Sequence, residues 1–252
     1  MLTNLKRKGF QIEFHSHAKA ILQVDFPDAL DELQRALADF SVPIAEIVGS
    51  GGGEAKGTQR LRRSLAELGW SKVSFEIRKT INGVTRESVS HEVDHVRSMM
   101  VDGEERKIGL EIEWNNKDPF FDRDLENFKR LHAEGAISVG VIITRGESLQ
   151  ANLKDMVKRF ATTRHIGSFE DLAPLGLSPT PRQKSAVTSR QGRTANQANF
   201  AEAWAEHFVS DKFGAATTHW RKLADRVHRG VGNPCPLLLI GLPASIVTAD
   251  PG

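Results

Sequence analysis

Two glutamates, Glu111 and Glu113, stand two residues apart in the run KIGLEIEW, Lys107 to Trp114. Alternation there is strict: Ile108, Leu110, Ile112 and Trp114 take one face of a strand, and Gly109, Glu111 and Glu113 take the other. Strand residues i and i+2 lie roughly 6.5 to 7 Å apart at the backbone, so both carboxylates leave the same face. Asp94, on the preceding run, can lie opposite them if the two runs form a hairpin. Carboxylates gathered in this way repel one another unless a hard cation neutralises them, and an all-oxygen set suits magnesium. The same spacing also describes a solvated acidic strand face with Lys107 and Lys117 nearby. The partner aspartate and a following crossover helix favour the cation site.

Other motifs imitate chemistry without supporting it. Residues His91 to His95 read H-E-V-D-H, matching the zinc-peptidase pattern, which needs a helical turn to bring both histidines to one zinc. The flanks Ser88-Val89-Ser90 and Val96 are β-leaning, and on a strand the two rings are too far apart for one metal. His91 and His95 are therefore expected to be ordinary sheet residues. The segment GSGGGEAKGTQRLRRSLAELGW lacks the order of a P-loop, running Lys56-Gly57-Thr58, and misses the sixth-place glycine of a dinucleotide fingerprint, which falls on Glu54. No organic cofactor is expected. The segment reads as a loop feeding a helix from about Thr58 to Leu68, whose N-terminal amides with Arg60, Arg62 and Arg63 could hold a phosphate.

The elements that must position the carboxylates follow from periodicity. A helix is predicted from Asp28 to Phe40, with Leu30, Leu33 and Leu37 inward. From Val73 the period shortens, and Asn82-Gly83 and Asp102-Gly103 mark hairpin turns. Asp118-Pro119 and Asp122 open a helix carrying Leu125, Phe128 and Leu131, closed by Gly135. Ile137 to Thr144 is a continuous apolar run, as in a strand buried on both faces. Hairpin, helix and buried strand in that order imply an α/β fold whose mixed sheet contains a parallel crossover. Helices are expected over Leu149 to Phe160 and Phe200 to Val209, a long basic loop over Ser178 to Asn199, and a last strand over Pro236 to Leu242.

The chain has 252 residues, 39% hydrophobic and 26% charged, which suits a globular protein and excludes collagen-like, coiled-coil and disordered classes. Its one cysteine, Cys235, cannot form an internal disulfide, and the start MLTNLKRKGFQIEFH has no apolar run after its basic residues. A cytoplasmic protein without membrane association is the expectation. Net charge is only +2, but its distribution is uneven. Glu87 to Glu134 holds thirteen acids against seven bases, Leu172 to Ala201 four bases and no acid, and Lys212 to Gly230 five bases against Asp225. An acidic centre flanked by basic arms fits a polyanion held at its phosphates while cations sit in the centre.

The stretch HEVDHV followed by IGLEIEWNNKDPFFDRDLENFKRLHAEGAISVGVIITR resembles the BglII/BstYI family of type II restriction endonucleases. The resemblance is specific over His91 to Arg145, with weaker echoes in GGGEAKGTQRLR, TTHWRKL and CPLLLIGL. It implies a restriction-endonuclease-like mixed β-sheet core flanked by helices. It also implies one endonuclease domain over 1–252, with a catalytic core at about 70–145. The implied activity is magnesium-dependent cleavage of double-stranded DNA by a homodimer at a short palindromic site. Relatives cut sites centred on GATC.

By the same resemblance, Asp94, Glu111, Glu113 and the backbone carbonyl of Ile112 hold the metal. Glu113 replaces the usual lysine and orients or deprotonates the attacking water. Glu76 is a possible accessory carboxylate. Asn115, Asn116, Lys117, Arg145, Thr218, His219, Arg221 and Lys222 are candidates for base or phosphate contact. The basic loop at 178–199 and the region 200–252 are expected to touch DNA or support the dimer. Alternatives are a DNA-binding protein on this fold that has lost activity and, last, the zinc peptidase.

Overall fold

The computed structural model describes residues 2–49, 53–192 and 199–249. In chain order the elements are α1 (Thr3–Arg7), β1 (Gln11–His15), α2 (Ala18–Val24), α3 (Pro27–Ala38), β2 (Val42–Pro43), α4 (Ile44–Val48) and α5 (Lys56–Glu67). There follow β3 (Ser71–Ile81), β4 (Val84–Val101), β5 (Glu104–Glu113), α6 (Phe120–Ala133), β6 (Val139–Arg145) and α7 (Glu147–Thr163). The last are α8 (Pro181–Gln191), α9 (Phe200–Lys212), α10 (Trp220–His228), β7 (Leu237–Leu242) and β8 (Val247–Thr248).

Six strands form one mixed sheet in the order β1-β7-β6-β5-β4-β3. The β5-β6 and β6-β7 pairs are parallel and the rest antiparallel. Helix α6 is the crossover between the parallel neighbours β5 and β6, as the order of periods required. Both hairpin turns form at the expected dipeptides, with positive φ at Asn82, Gly83, Asp102 and Gly103, the conformation that type I′ turns demand.

The sheet is packed on both faces. On one face Ile108, Leu110, Val139, Val141, Ile143, Leu238 and Ile240 join the core formed with α3, α5 and α7. Trp70 and Arg97 both bond the buried Glu32 there, Trp70 Nε1 at 2.9 Å and Arg97 Nη2 at 2.8 Å, tying α3 to β4. On the other face, α6 and α10 cover Val93, Val96, Ile142, Leu237 and Leu239. Phe128 of α6 lies directly on the sheet because Gly109 and Gly140 present no side chain beneath it.

One expectation is corrected. The stretch Ser178 to Asn199 is not a loop throughout: α8 occupies Pro181–Gln191, started by Pro181 at its first position and by a capping box in which Thr180 and Gln183 bond reciprocally. Arg193, part of that predicted loop, lies outside the described residues. The segments α1, β1, α2 and α10 were not anticipated.

Replacing Gly140 by alanine puts a methyl group into the Phe128 ring. Such overpacking should cost about 2 kcal/mol of stability in urea denaturation.

Candidate active site

The hairpin ladder between β4 and β5 ends at the His95–Leu110 pair, whereas the ladder between β5 and β6 continues to Glu113–Thr144. The two strands part just where the acidic residues begin. Val93 and Val96 both pack toward α6, and the register shift between them leaves Asp94 and His95 at a bulge. The Asp94 amide, having left the ladder, donates to Glu111 Oε1 at 3.3 Å. The Asp94 side chain is half exposed and lies 3.5 Å from Lys72 Nζ.

Glu111 and Glu113 sit on the β5 face beneath α6, as the alternation predicts, and both are buried. A third carboxylate joins them that sequence reasoning missed. Asp124 occupies the inward stripe of α6 with Phe121, Leu125, Phe128 and Leu131, and it is 1% exposed. A carboxylate in an apolar stripe was the available signal. Asn116 Nδ2 donates to Glu113 Oε2 at 2.8 Å, and Arg123 bonds Asp124 Oδ1 at 2.8 Å while standing 3.6 Å from Glu113 Oε1. Asp124 Oδ2 is buried with no donor.

These carboxylates resist ionisation. Burial, reinforced by the charges of Asp124 and Asp94, pushes Glu111 up to about 9. Burial and then the facing Asp124 push Glu113 up to about 8, and burial raises Asp124 as well. The oxygens of Asp94, Glu111 and Glu113 do not all approach within 4.8 Å of one another; among the described residues only Glu13, His15 and His228 offer a trio that does.

The peptidase motif lies on a strand as expected, but strict alternation would put both histidines on one face, and the bulge at Asp94 and His95 turns them to opposite faces. His91 and His95 lie on β4 and are buried. His91 pairs across from Phe75 on the α6 side, whereas His95 pairs with Leu110 and bonds its carbonyl at 3.3 Å. Glu76 is exposed, held at 2.6 Å by Arg78, and lies outward of Asp94 along the hairpin.

Two groups of candidates far apart in sequence meet beside the carboxylates. The chain after β5 and the chain before α10 form a short antiparallel ladder: Lys117 bridges Thr217, the Thr218 amide donates to the Asn116 carbonyl at 2.8 Å, and the Asp118 amide donates to Ala216 at 3.0 Å. Within this ladder Asn116 and Lys117 are exposed and Asn115 is half-buried. Arg145 and Thr218 must be corrected, because both are fully buried and cannot present themselves to a ligand. Arg145 instead donates to Thr217 Oγ1 at 2.7 Å and to the Thr218 carbonyl at 2.6 Å, holding the ladder to the end of β6. Burial lowers it to about 9.

His219 is mostly buried, Lys222 is paired with Asp118 at 3.3 Å, and Arg221 is exposed. Lys117 and Arg221 have no ion-pair partner among the described residues. The upstream phosphate site is weakened, since Arg60 pairs with Glu46 and Arg62 with Glu54.

In EDTA at pH 8, Glu111→Gln should raise the urea midpoint. The wild-type side chain must there either bury a charge or take up a proton that the unfolded chain does not hold. The gain should vanish toward pH 4.5, where the unfolded carboxyl is itself half protonated.

No curated protein sequence matches the chain significantly. The family model described as restriction endonuclease BglII/BglIII matches residues 10–242, a span from β1 to the end of β7 that takes in the whole sheet and the carboxylate face of β5. The chain therefore belongs to the BglII/BglIII restriction endonuclease family and is a DNA-cleaving hydrolase.

Proposed function

We propose that this endonuclease is a type II enzyme of a restriction-modification system: a homodimer that hydrolyses both strands of double-stranded DNA at a short palindromic site, with magnesium. A site centred on GATC is the first to test. The observation that carries the reading is the burial of Glu111, Glu113 and Asp124 together, with Arg123 the cationic side chain that meets them. Three crowded carboxyl groups that burial keeps from ionising fit a divalent cation, whose charge would let them ionise. Asp94, Glu111, Glu113 and the Ile112 carbonyl would hold it. When bound, the ion would polarise the scissile phosphate and make a water more acidic.

The chain's own groups account for the rest of the chemistry. Asn116 fixes one oxygen of Glu113, which leaves the other to orient the attacking water and accept its proton. Lys117 and Arg221, both exposed, neutralise phosphates, and the Asn115 amide reads base edges, with Asn116 joining it only where it gives up Glu113. A palindromic site presents two equivalent scissile bonds, so a two-fold pair of subunits supplies one carboxylate cluster to each.

Incubation with unmethylated phage DNA tests this directly: discrete fragments should appear with magnesium and not with EDTA. A gel shift without fragments would indicate the inactive DNA-binding alternative. Asp94→Ala and Glu111→Ala should abolish cutting while leaving specific binding intact. Lys117→Ala and Arg221→Ala should each flatten the salt dependence of binding, log K against log salt, by about one unit.

A further inference from the structure

We infer that the protein carries a second metal site, for a transition metal such as zinc, built from Glu13, His15 and His228. Glu13 and His15 are residues i and i+2 of β1 and so leave the same face of that edge strand. His228 is the last residue of α10, whose C-terminal carbonyls favour a cation. One carboxylate oxygen, Glu13 Oε2, lies between the two imidazoles, 3.1 Å from His15 Nε2 and 3.5 Å from His228 Nε2. Ligand atoms about 2.0 to 2.1 Å from a tetrahedral zinc stand roughly 3.3 to 3.4 Å from one another, so both separations are close to what one ion imposes. The two rings are tilted by 55° with centroids 5.7 Å apart, so they are not stacked on each other.

The donor set differs in kind from the one on β5. Two imidazoles and one carboxylate prefer zinc, nickel or copper, whereas magnesium prefers oxygen alone. Three protein ligands also leave a fourth position for water. Strand β1 joins the sheet through β7 alone, and α10 is tied by Arg226 to Asp122 of α6 and by Arg226 and Lys222 to Asp118, just before α6. A metal there staples the edge strand to the helix whose opposite end carries His219, Arg221 and Lys222.

Zinc chloride titrated into the full-length protein in saturating magnesium should bind at one ion per chain and raise the thermal midpoint. Cobalt(II) in its place should give the intense visible bands of a tetrahedral centre. His228→Ala, at an exposed position, and His15→Gln should each weaken zinc binding at least about tenfold and remove the cobalt bands, with far-UV circular dichroism unchanged. Absence of stoichiometric zinc binding by the wild-type protein, or binding that His228→Ala leaves intact, overturns the inference and reduces the trio to a surface Glu–His pair.

Discussion

The burial of three carboxyl groups under α6 is the constraint on which the rest of this structure depends. Two glutamates from β5 and an aspartate from α6 share a place where water is scarce: burial raises all three, and the charge of Asp124 raises both glutamates further. Such an arrangement persists only because the surrounding scaffold is rigid. Phe128 seated on two glycines fixes the height of α6 above the sheet, and the parallel β5–β6 ladder fixes the direction of the glutamates. Crowding these carboxyls costs stability locally, a trade common at functional sites.

A second constraint ties the chain before α10 to the strand that carries the glutamates. Arg145 is a fully buried cation whose hydrogen bonds run to the segment before α10, and its guanidinium lies 4.8 Å from the Phe213 ring centroid. Thr144, its neighbour, donates to the Glu113 carbonyl at 2.7 Å. Two consecutive residues at the end of β6 thus fasten β5 and the Thr217–Thr218 segment. Glu113 is thereby held from outside its own strand at two points, its carbonyl by Thr144 and its side chain by Asn116.

Much of this was legible in the sequence because period and burial coincide there. The strict alternation of Lys107–Trp114, the three-residue repeat of α6 and the apolar run of β6 each have one solution, and together they locate Glu111 and Glu113 on a shared face. Recognition of the peptidase motif as a decoy also needed only the β-leaning flanks. What failed lay where local pattern underdetermines the fold. Asp124 follows the helix period but breaks its hydrophobicity, so it stood out only once α6 was seen lying on β5. Arg145 reads as a surface cation because its partners come from 72 and 73 residues further along the chain. Helix α8 has little apolar stripe to betray it, and its start is written instead in the Thr180–Pro181–Gln183 cap. Strand β1 is five residues long and pairs only with the far end of the chain, a contact that sequence proximity cannot suggest.

The hairpin of β3 and β4 continues well beyond the sheet. Between Val84 and Val93 strand β4 pairs with β3 alone, and Ile81 and Val84 are exposed at the turn. A two-stranded ribbon in water is marginal by itself, and β3 is also an outer edge whose backbone groups are free to accept a foreign strand. The alternating charges of Glu76, Arg78, Lys79, Arg86 and Glu87 occupy that ribbon. They act as gatekeepers against fibril-like stacking, so the colloidal behaviour of the protein is set in good part by this ribbon.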